Sequence, residues 1–153
     1  MSFTPADPNF ETRIRASFAT QSVMRTIGAT MVRVEPGAVE IAMPFRADLT
    51  QQDGFLHAGI VATILDSACG YAAFSLLTAE AAVLTVEFKI NLLRPAAGDR
   101  FVARARVLKP GKTLTVCTGE VVAVAGGTEK VVASMMNTIM RLPDRVSMGD
   151  RAP

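Results

Sequence analysis

The sequence predicts a single α+β domain in which one long helix is wrapped by one antiparallel sheet of about six strands, with an N-terminal helix appended. Three observations predict it. Residues 57–77 are an almost uninterrupted apolar stretch of helical length, bounded by polar loops. From residue 83 the hydrophobic period changes from helical to two and stays there to residue 141. Turn signals at Glu35-Pro36-Gly37, Lys109-Pro110-Gly111-Lys112 and Gly126-Gly127 cut the extended segments into hairpin-sized pieces.

Each element has its own signature. In 9–26, Phe10, Ile14, Phe18 and Ser22 recur four apart, which predicts a short amphipathic helix. Segments 29–34 and 38–44 read as two strands joined by the first turn, and 45–56 as an irregular polar loop. In 83–93, Leu84, Val86, Phe88, Ile90 and Leu92 alternate with Thr85, Glu87, Lys89 and Asn91, and Arg94-Pro95-Ala96-Ala97-Gly98 ends that strand. Segments 101–108, 113–125 and 130–141 complete an expected meander of four strands. The expected division is an N-terminal helical extension over 1–28, the main domain over 29–141 and a mobile tail over 142–153.

Composition narrows the function. A chain of 153 residues, half of them apolar, can bury a core without disulfides or metal. A net charge of +2 with no Lys/Arg run gives no reason to expect a nucleic-acid partner. Cys69 and Cys117 have no metal or redox spacing, and with a single histidine no zinc site is expected; they read as small core residues in a reducing cytoplasm. No secretory leader is expected from the first 18 residues, which lack an apolar core. The stretch 58–79 is long enough to span a bilayer, but it is rich in Ala, Gly, Ser and Thr and carries an acid at its middle, so a buried helix accounts for it better.

That acid is Asp66, the one side chain between His57 and Glu80 that carries charge near neutrality. A carboxylate in such a run needs a partner, a solvent path or a chemical role. At 100° per residue, Gly59, Ala62, Thr63, Cys69, Gly70 and Ala73 share its side, while Ile60, Ile64, Leu65, Ala68 and Tyr71 oppose it. His57 lies nine positions earlier, about 13 Å along the axis, and the free N–H groups at Ala58 and Gly59 are equally out of reach. If helix start and carboxylate cooperate, they come from two antiparallel helices of a symmetric dimer. Unpaired N–H groups at a helix start suit an oxyanion, and a carboxylate opposite suits a nucleophile or a base on water. Together they are parts for attack on an activated acyl carbon. No Gly-x-Ser-x-Gly occurs. The bland alternative is a core acid hydrogen-bonded to a hydroxyl or an arginine, with His57, Arg94, Lys109 and Lys112 as ordinary helix-start and turn residues.

The run Gln51-Gln52-Asp53-Gly54-Phe55-Leu56-His57-Ala58-Gly59 through Asp66-Ser67-Ala68, followed by Thr85-Val86-Glu87-Phe88-Lys89-Ile90-Asn91-Leu92-Leu93-Arg94-Pro95-Ala96, resembles the hotdog-fold acyl-CoA thioesterases of the PaaI-like, phenylacetate-pathway type over roughly residues 30–141. The resemblance implies a hotdog fold and hydrolysis of an acyl-CoA thioester, with no metal and no cofactor. It implies Asp66 as nucleophile or general base and the Ala58 N–H of the opposite subunit as oxyanion donor. Gln51, His57 and Thr85 are implied to position water and thioester. Gly59, Asn91, Arg94 and Lys112 are implied as substrate contacts, the last two toward coenzyme A phosphates. A homodimer assembling to a homotetramer, in the cytoplasm, is implied as well.

Two departures stand out. Ala58 replaces the middle glycine of the family's His-Gly-Gly, which keeps the N–H but adds a methyl group. Strict alternation also turns Thr85 to the polar face with Glu87, away from the helix; either that face lines the subunit junction or a bulge intervenes. Alternatives on the same scaffold are an acyl-thioester dehydratase or hydratase and a non-catalytic acyl-CoA binding module.

Overall fold

The computed structural model describes residues 3–142. Helices α1 (Phe10–Thr20) and α2 (Ser22–Ile27) precede strands β1 (Thr30–Glu35) and β2 (Ala38–Pro44). A loop with a 3-10 turn at Ala47–Leu49 leads into α3 (Ala58–Phe74), followed by β3 (Ala82–Leu92), β4 (Arg100–Lys109), β5 (Leu114–Ala125) and β6 (Thr128–Leu142). The tail expected over 142–153 lies, from residue 143 on, outside the described residues; Leu142 closes β6.

One antiparallel sheet holds all six strands in the order β1-β2-β4-β5-β6-β3. This corrects the expected meander of four consecutive strands. The β1–β2 hairpin docks first against β4, with Ala38 opposite Arg106 through Pro44 opposite Arg100. That pairing leaves β3 the far edge, against β6. The sheet curls around α3, which touches β2, β3, β4, β5 and β6. This is the hotdog architecture implied by the motif resemblance.

The helix is apolar nearly all round because the sheet reaches around it. Ile64, Leu65, Ala68, Cys69 and Ala72 are fully buried. They pack into a core with Ile41, Phe101, Val121, Met135 and Ile139. Gly119 on β5 permits the close approach. A Cβ there would stand 2.8 Å from both Leu65 Cδ1 and the Arg104 carbonyl oxygen.

The N-terminal helix expected over 9–26 is two helices. Gln21 between them is extended (φ −76°, ψ 101°). The break swings α2 so that Met24 and Ile27 join Ile14 in the main core. α3 ends at Phe74, three residues before the expected end; residues 75–77 take its last carbonyls, and Arg13 of α1 adds donors at Phe74 and Leu77. Arg13 Nη2 donates to the Leu77 carbonyl at 3.0 Å and to that of Phe74 at 3.4 Å, with its guanidinium 4.2 Å above the Phe74 ring. Arg13 also pairs with Asp7 at 2.8 Å, and that hydrogen bond holds the Asp7 carboxyl below its usual range. Ser75 Oγ donates to the Ala72 carbonyl and accepts the Gly37 N–H at 2.6 Å, pinning the β1–β2 turn to the helix end. Gly37 holds that turn at φ +78°, a conformation that costs other residues energy.

Cys69 and Cys117 are free and fully buried, Cys117 Sγ facing the Cys69 carbonyl at 3.5 Å. Burial is the main cause that raises both thiols, Cys117 to about 12 and Cys69 further. Two outcomes are expected. Ile14→Ala removes a fully buried side chain shared by α1 and the core and lowers unfolding free energy by about 2–5 kcal/mol in a urea titration. Because both thiols stay protonated when folded but ionise when unfolded, their effect on stability is nil below pH 9 and destabilising as pH rises toward 12. Thiol-reagent titration at pH 8 therefore finds no fast-reacting sulfur in the native protein and two after unfolding.

Candidate functional site

Asp66 sits mid-helix on α3, half-buried, with Ala62, Thr63, Ser67 and Gly70 as the small, half-buried residues beside it. Thr85 Oγ1 donates to Asp66 Oδ1 at 2.8 Å, and Asn137 Nδ2 donates to the same oxygen at 2.9 Å. Among the described residues no donor reaches Oδ2. The carboxylate borders a cavity of about 270 Å³ lined by Ser17, Gln21, Tyr71, Phe74, Val83 and Thr85. Tyr71 OH lies 3.4 Å from Ser17 Oγ, and burial raises its phenol above the usual range.

Thr85 reaches the helix through a break in its strand. The β3–β6 register shifts between Thr85 and Glu87, leaving Val86 without a partner. Thr85 and Ile90 both face the helix, one bonded to Asp66 and the other packed on the core. They are five positions apart, an odd number that uninterrupted alternation forbids and one extra residue restores. The bulge thus corrects the strict-alternation expectation, and it brings Thr85 to the acid.

Gln51, His57, Ala58, Gly59 and Arg94 gather at the start of α3. His57 is the N-cap, and its Nδ1 accepts the Gly59 N–H at 2.9 Å. While that bond stands the ring proton is on Nε2, leaving Nε2–H as a donor. The Ile60 and Val61 N–H groups take the His57 carbonyl, and the Ala58 N–H has no acceptor among the described residues. Gln51 closes a tight turn, its backbone bonded to Phe55 and Gly54 and its Oε1 accepting the Asp53 N–H. Gln51, Phe55, Ala58, Leu92, Leu93 and Arg94 line a second, larger cavity of about 480 Å³. Arg94 Nη1 donates to the Val131 carbonyl at 2.7 Å, which fixes the guanidinium at the rim.

The structure therefore unites Asp66 with Thr85, and separately Gln51, His57, Ala58 and Gly59 with Arg94. Within one chain the two groups stand eight helical residues apart, about 12 Å. Asn91 is exposed on β3 and accepts from Lys89 Nζ at 3.0 Å. Lys112 stands apart from Arg94. Arg94 is anchored at Val131, near the start of β6, while the turn holding Lys112 bonds Arg141 at its end, about 30 Å away along the strand.

Three expectations about the helix faces are corrected. Cys69 and Ala73 are fully buried and do not share the open stripe with Asp66. Cys69 lies against β5, and α1 closes over the C-terminal end of α3, where Phe18 meets Tyr71 edge-on at 5.8 Å. For the same reason Tyr71 borders the Asp66 cavity instead of packing only on the sheet. Asn137 was not among the expected site residues. Its signal was a polar residue in the otherwise apolar inward row Ala133, Met135, Asn137, Ile139 of β6.

Among the described residues no cluster of three or more His, Cys, Asp or Glu could hold a metal ion, and no helix is long and apolar enough to cross a membrane.

The same frame recurs in known proteins. The family model described as the thioesterase superfamily matches residues 53–130. Acyl-coenzyme A thioesterase 13 of Homo sapiens is 32% identical over 129 residues, 82% of this chain and 89% of that protein. A Saccharolobus solfataricus protein named as a candidate esterase is 30% identical over 94 residues, 61% of this chain and 66% of its own length, just under two thirds. The crystal structure of a thioesterase family protein from Silicibacter pomeroyi is 58% identical with a TM-score of 0.86, covering 87% of this chain and 98% of that one. The E. coli PaaI protein, at 23% identity and a TM-score of 0.80 over 89% and 95% of the two chains, shares the fold.

Proposed function

The chain belongs to the thioesterase superfamily of thioester hydrolases, and on that premise we propose that it hydrolyses an acyl-CoA, releasing the free acid and the coenzyme A thiol. The observation that carries this reading is a carboxylate at the edge of a cavity that is held through one oxygen, with no donor among the described residues on the other. Asp66 Oδ2 either adds to the thioester carbonyl carbon, giving an acyl-aspartyl anhydride that water then hydrolyses to the free acid, or takes a proton from the water that adds to that carbon. The carbonyl oxygen gathers charge as the carbon becomes tetrahedral, and the thiolate leaves as that tetrahedral centre collapses.

The oxyanion needs a donor that Asp66's own chain cannot bring to the same carbon. The Ala58 N–H has no acceptor among the described residues and sits at the positive end of α3, which suits an oxyanion. In this reading it comes from a second copy whose α3 runs antiparallel to the first. His57 and Gln51 travel with it and orient the thioester and the water, and Thr85 holds the acid. Two features support such a homodimer. The open stripe of α3 is built of small residues, so another helix can approach closely. β3 is an edge strand, and it exposes Leu84, Val86 and Phe88 at 49%, 55% and 44%. Assembly of two dimers into a tetramer and a cytoplasmic location belong to the same proposal.

The larger, mainly apolar cavity at Ala58 fits a pantetheine arm, with Arg94 at its rim toward a phosphate. Gly59 and Asn91 fall to the substrate side of the same reading. The distance between Arg94 and Lys112 means that one chain cannot apply both to one phosphate cluster; Lys112 serves only from the partner.

Two outcomes are expected. In a thiol-release assay over phenylacetyl-, butyryl-, hexanoyl- and palmitoyl-CoA, Asp66→Asn lowers kcat on the best substrate by about 10²–10⁴-fold with circular dichroism unchanged. Near-normal turnover would sink the assignment, and gain or loss of water on an added enoyl- or 3-hydroxyacyl-CoA without thiol release would point to a hydratase instead. Phe88→Asp on the exposed edge yields monomers in sedimentation and lowers kcat by about 10²–10³-fold, the scale of a lost oxyanion donor. A fully active monomer would rule out the shared site.

A further inference from the structure

We propose that Asn137 is a positioning residue for this reaction: with Thr85 it holds Asp66 by Oδ1 and so determines that Oδ2 is the oxygen that reacts. The inference rests on the proposed role of Asp66.

Its basis is an uneven use of one side chain. Asn137 is 1% exposed on β6, and its backbone is fixed by strands on both sides, opposite Cys117 and Phe88. Its Nδ2 donates to Asp66 Oδ1 at 2.9 Å and otherwise touches only the Met135 sulfur, at 3.7 Å. Its own Oδ1 is buried and has no partner among the described residues. A buried carbonyl without a donor is costly, and native interiors rarely contain one without a reason. The inward neighbours on the strand, Ala133, Met135 and Ile139, are apolar, so an apolar residue at 137 would avoid that cost entirely. One strong interaction offsets it, the charge-assisted bond to the carboxylate. The alternative amide orientation would set carbonyl against carboxylate, so the network itself assigns Nδ2 to Asp66.

The consequence for the acid is geometric. Two donors from two different strands converge on one oxygen, and they fix both the rotamer and the plane of the carboxylate. A group held at a defined angle on rigid strands keeps the reacting oxygen within the narrow tolerance that attack requires. Without Asn137 the carboxylate can rotate about the Thr85 bond.

The surroundings leave room for a clean electrostatic readout. Besides Asp66, the buried titratable groups of the elements packed here are Cys69 and Tyr71 of α3 and Cys117 of β5. α1 and the α1–α2 break bring only the neutral Ser17 and Gln21. On β3, Glu87 is turned away and accepts from Thr138 Oγ1. An acid placed at 137 would therefore be the sole carboxyl group facing Asp66.

The experiment measures thiol release from the best substrate of the panel above as a function of concentration and pH. Asn137→Leu removes the donor without adding charge. It is expected to lower kcat by about 10- to 100-fold, the equivalent of one charge-assisted hydrogen bond, with KM within about threefold. Asn137→Asp keeps the shape and sets two carboxyl groups to share a proton. It is expected to lower kcat and to move the acid limb of the pH–rate profile up by about one unit or more. A purely structural asparagine would change the melting temperature but leave kcat per folded molecule and the acid limb where they are, and that result overturns the proposal. So does a loss confined to KM. If Asn137→Leu does not fold, Asn137→Asp decides alone by its pH profile. The role of Asp66 is tested separately: Asp66→Asn that is inactive while both Asn137 variants behave as wild type defeats this inference and leaves the catalytic reading standing.

Discussion

A carboxylate on a helix enclosed by a sheet must be hydrogen-bonded or solvated, and much of this structure follows from how Asp66 meets that demand. Both of its protein donors arrive on one oxygen, one from β3 and one from β6. Neither could arrive in a sheet of ordinary regularity and composition. β3 has to gain a residue at Val86 to turn Thr85 inward, and β6 has to place an amide in an inward row otherwise filled by Ala, Met and Ile. Both departures carry a cost, a broken ladder in one strand and an unpartnered buried carbonyl in the other. Such departures concentrate at functional sites in natural sequences, because elsewhere nothing offsets them.

The sheet order serves the same end. If β3 continued into β4 as a simple meander, it would lie in the middle of the sheet, with both edges paired. Placing β4 against β2 sends β3 to the rim beside β6. There Thr85 and Asn137 are close neighbours across one ladder, since Thr85 pairs with Ile139 and Phe88 with Asn137. The edge position also leaves one side of β3 free for another chain. The strand that supplies a donor to the acid is thus the strand best placed to recruit the partner that the proposed site requires.

How far the sequence revealed this depended on the kind of signal. The helix-and-sheet architecture was legible because an apolar run followed by sustained alternation admits few other packings, and every expected strand appears within a residue or two of its place. Strand order was not legible, because hairpin turns identify neighbours only where the connection is short, and the long connections at α3 and at Arg94–Gly98 leave pairing open. The break at Gln21 carries no proline or glycine to announce it. The bulge at Val86 could be posed only as a question, since the residues Leu84 to Ile90 alternate perfectly on paper. Asn137 could have been found: a polar residue at an inward phase of an apolar strand is the same kind of anomaly as Asp66 on its helix. Each was half of one interaction, and the two anomalies explain each other only when β6 is known to pass beside α3.

The burden on Asp66 also explains why the site divides as it does. A helix supplies free N–H groups only at its start, and this one begins at Ala58, where the His57 side chain takes the Gly59 N–H and leaves the Ala58 N–H over. The acid, by contrast, has to lie where two strands can reach it, which is mid-helix. Along one helix those requirements cannot coincide, because eight residues of rise separate them. Two antiparallel copies of the same helix satisfy both at once, each start falling beside the other's middle, provided the surface between them is flat enough for contact. Ala62, Thr63, Ser67 and Gly70 make it so. In the proposed dimer, the small residues around Asp66 and the Ala58 N–H, unpartnered among the described residues, would serve one site that two chains close together.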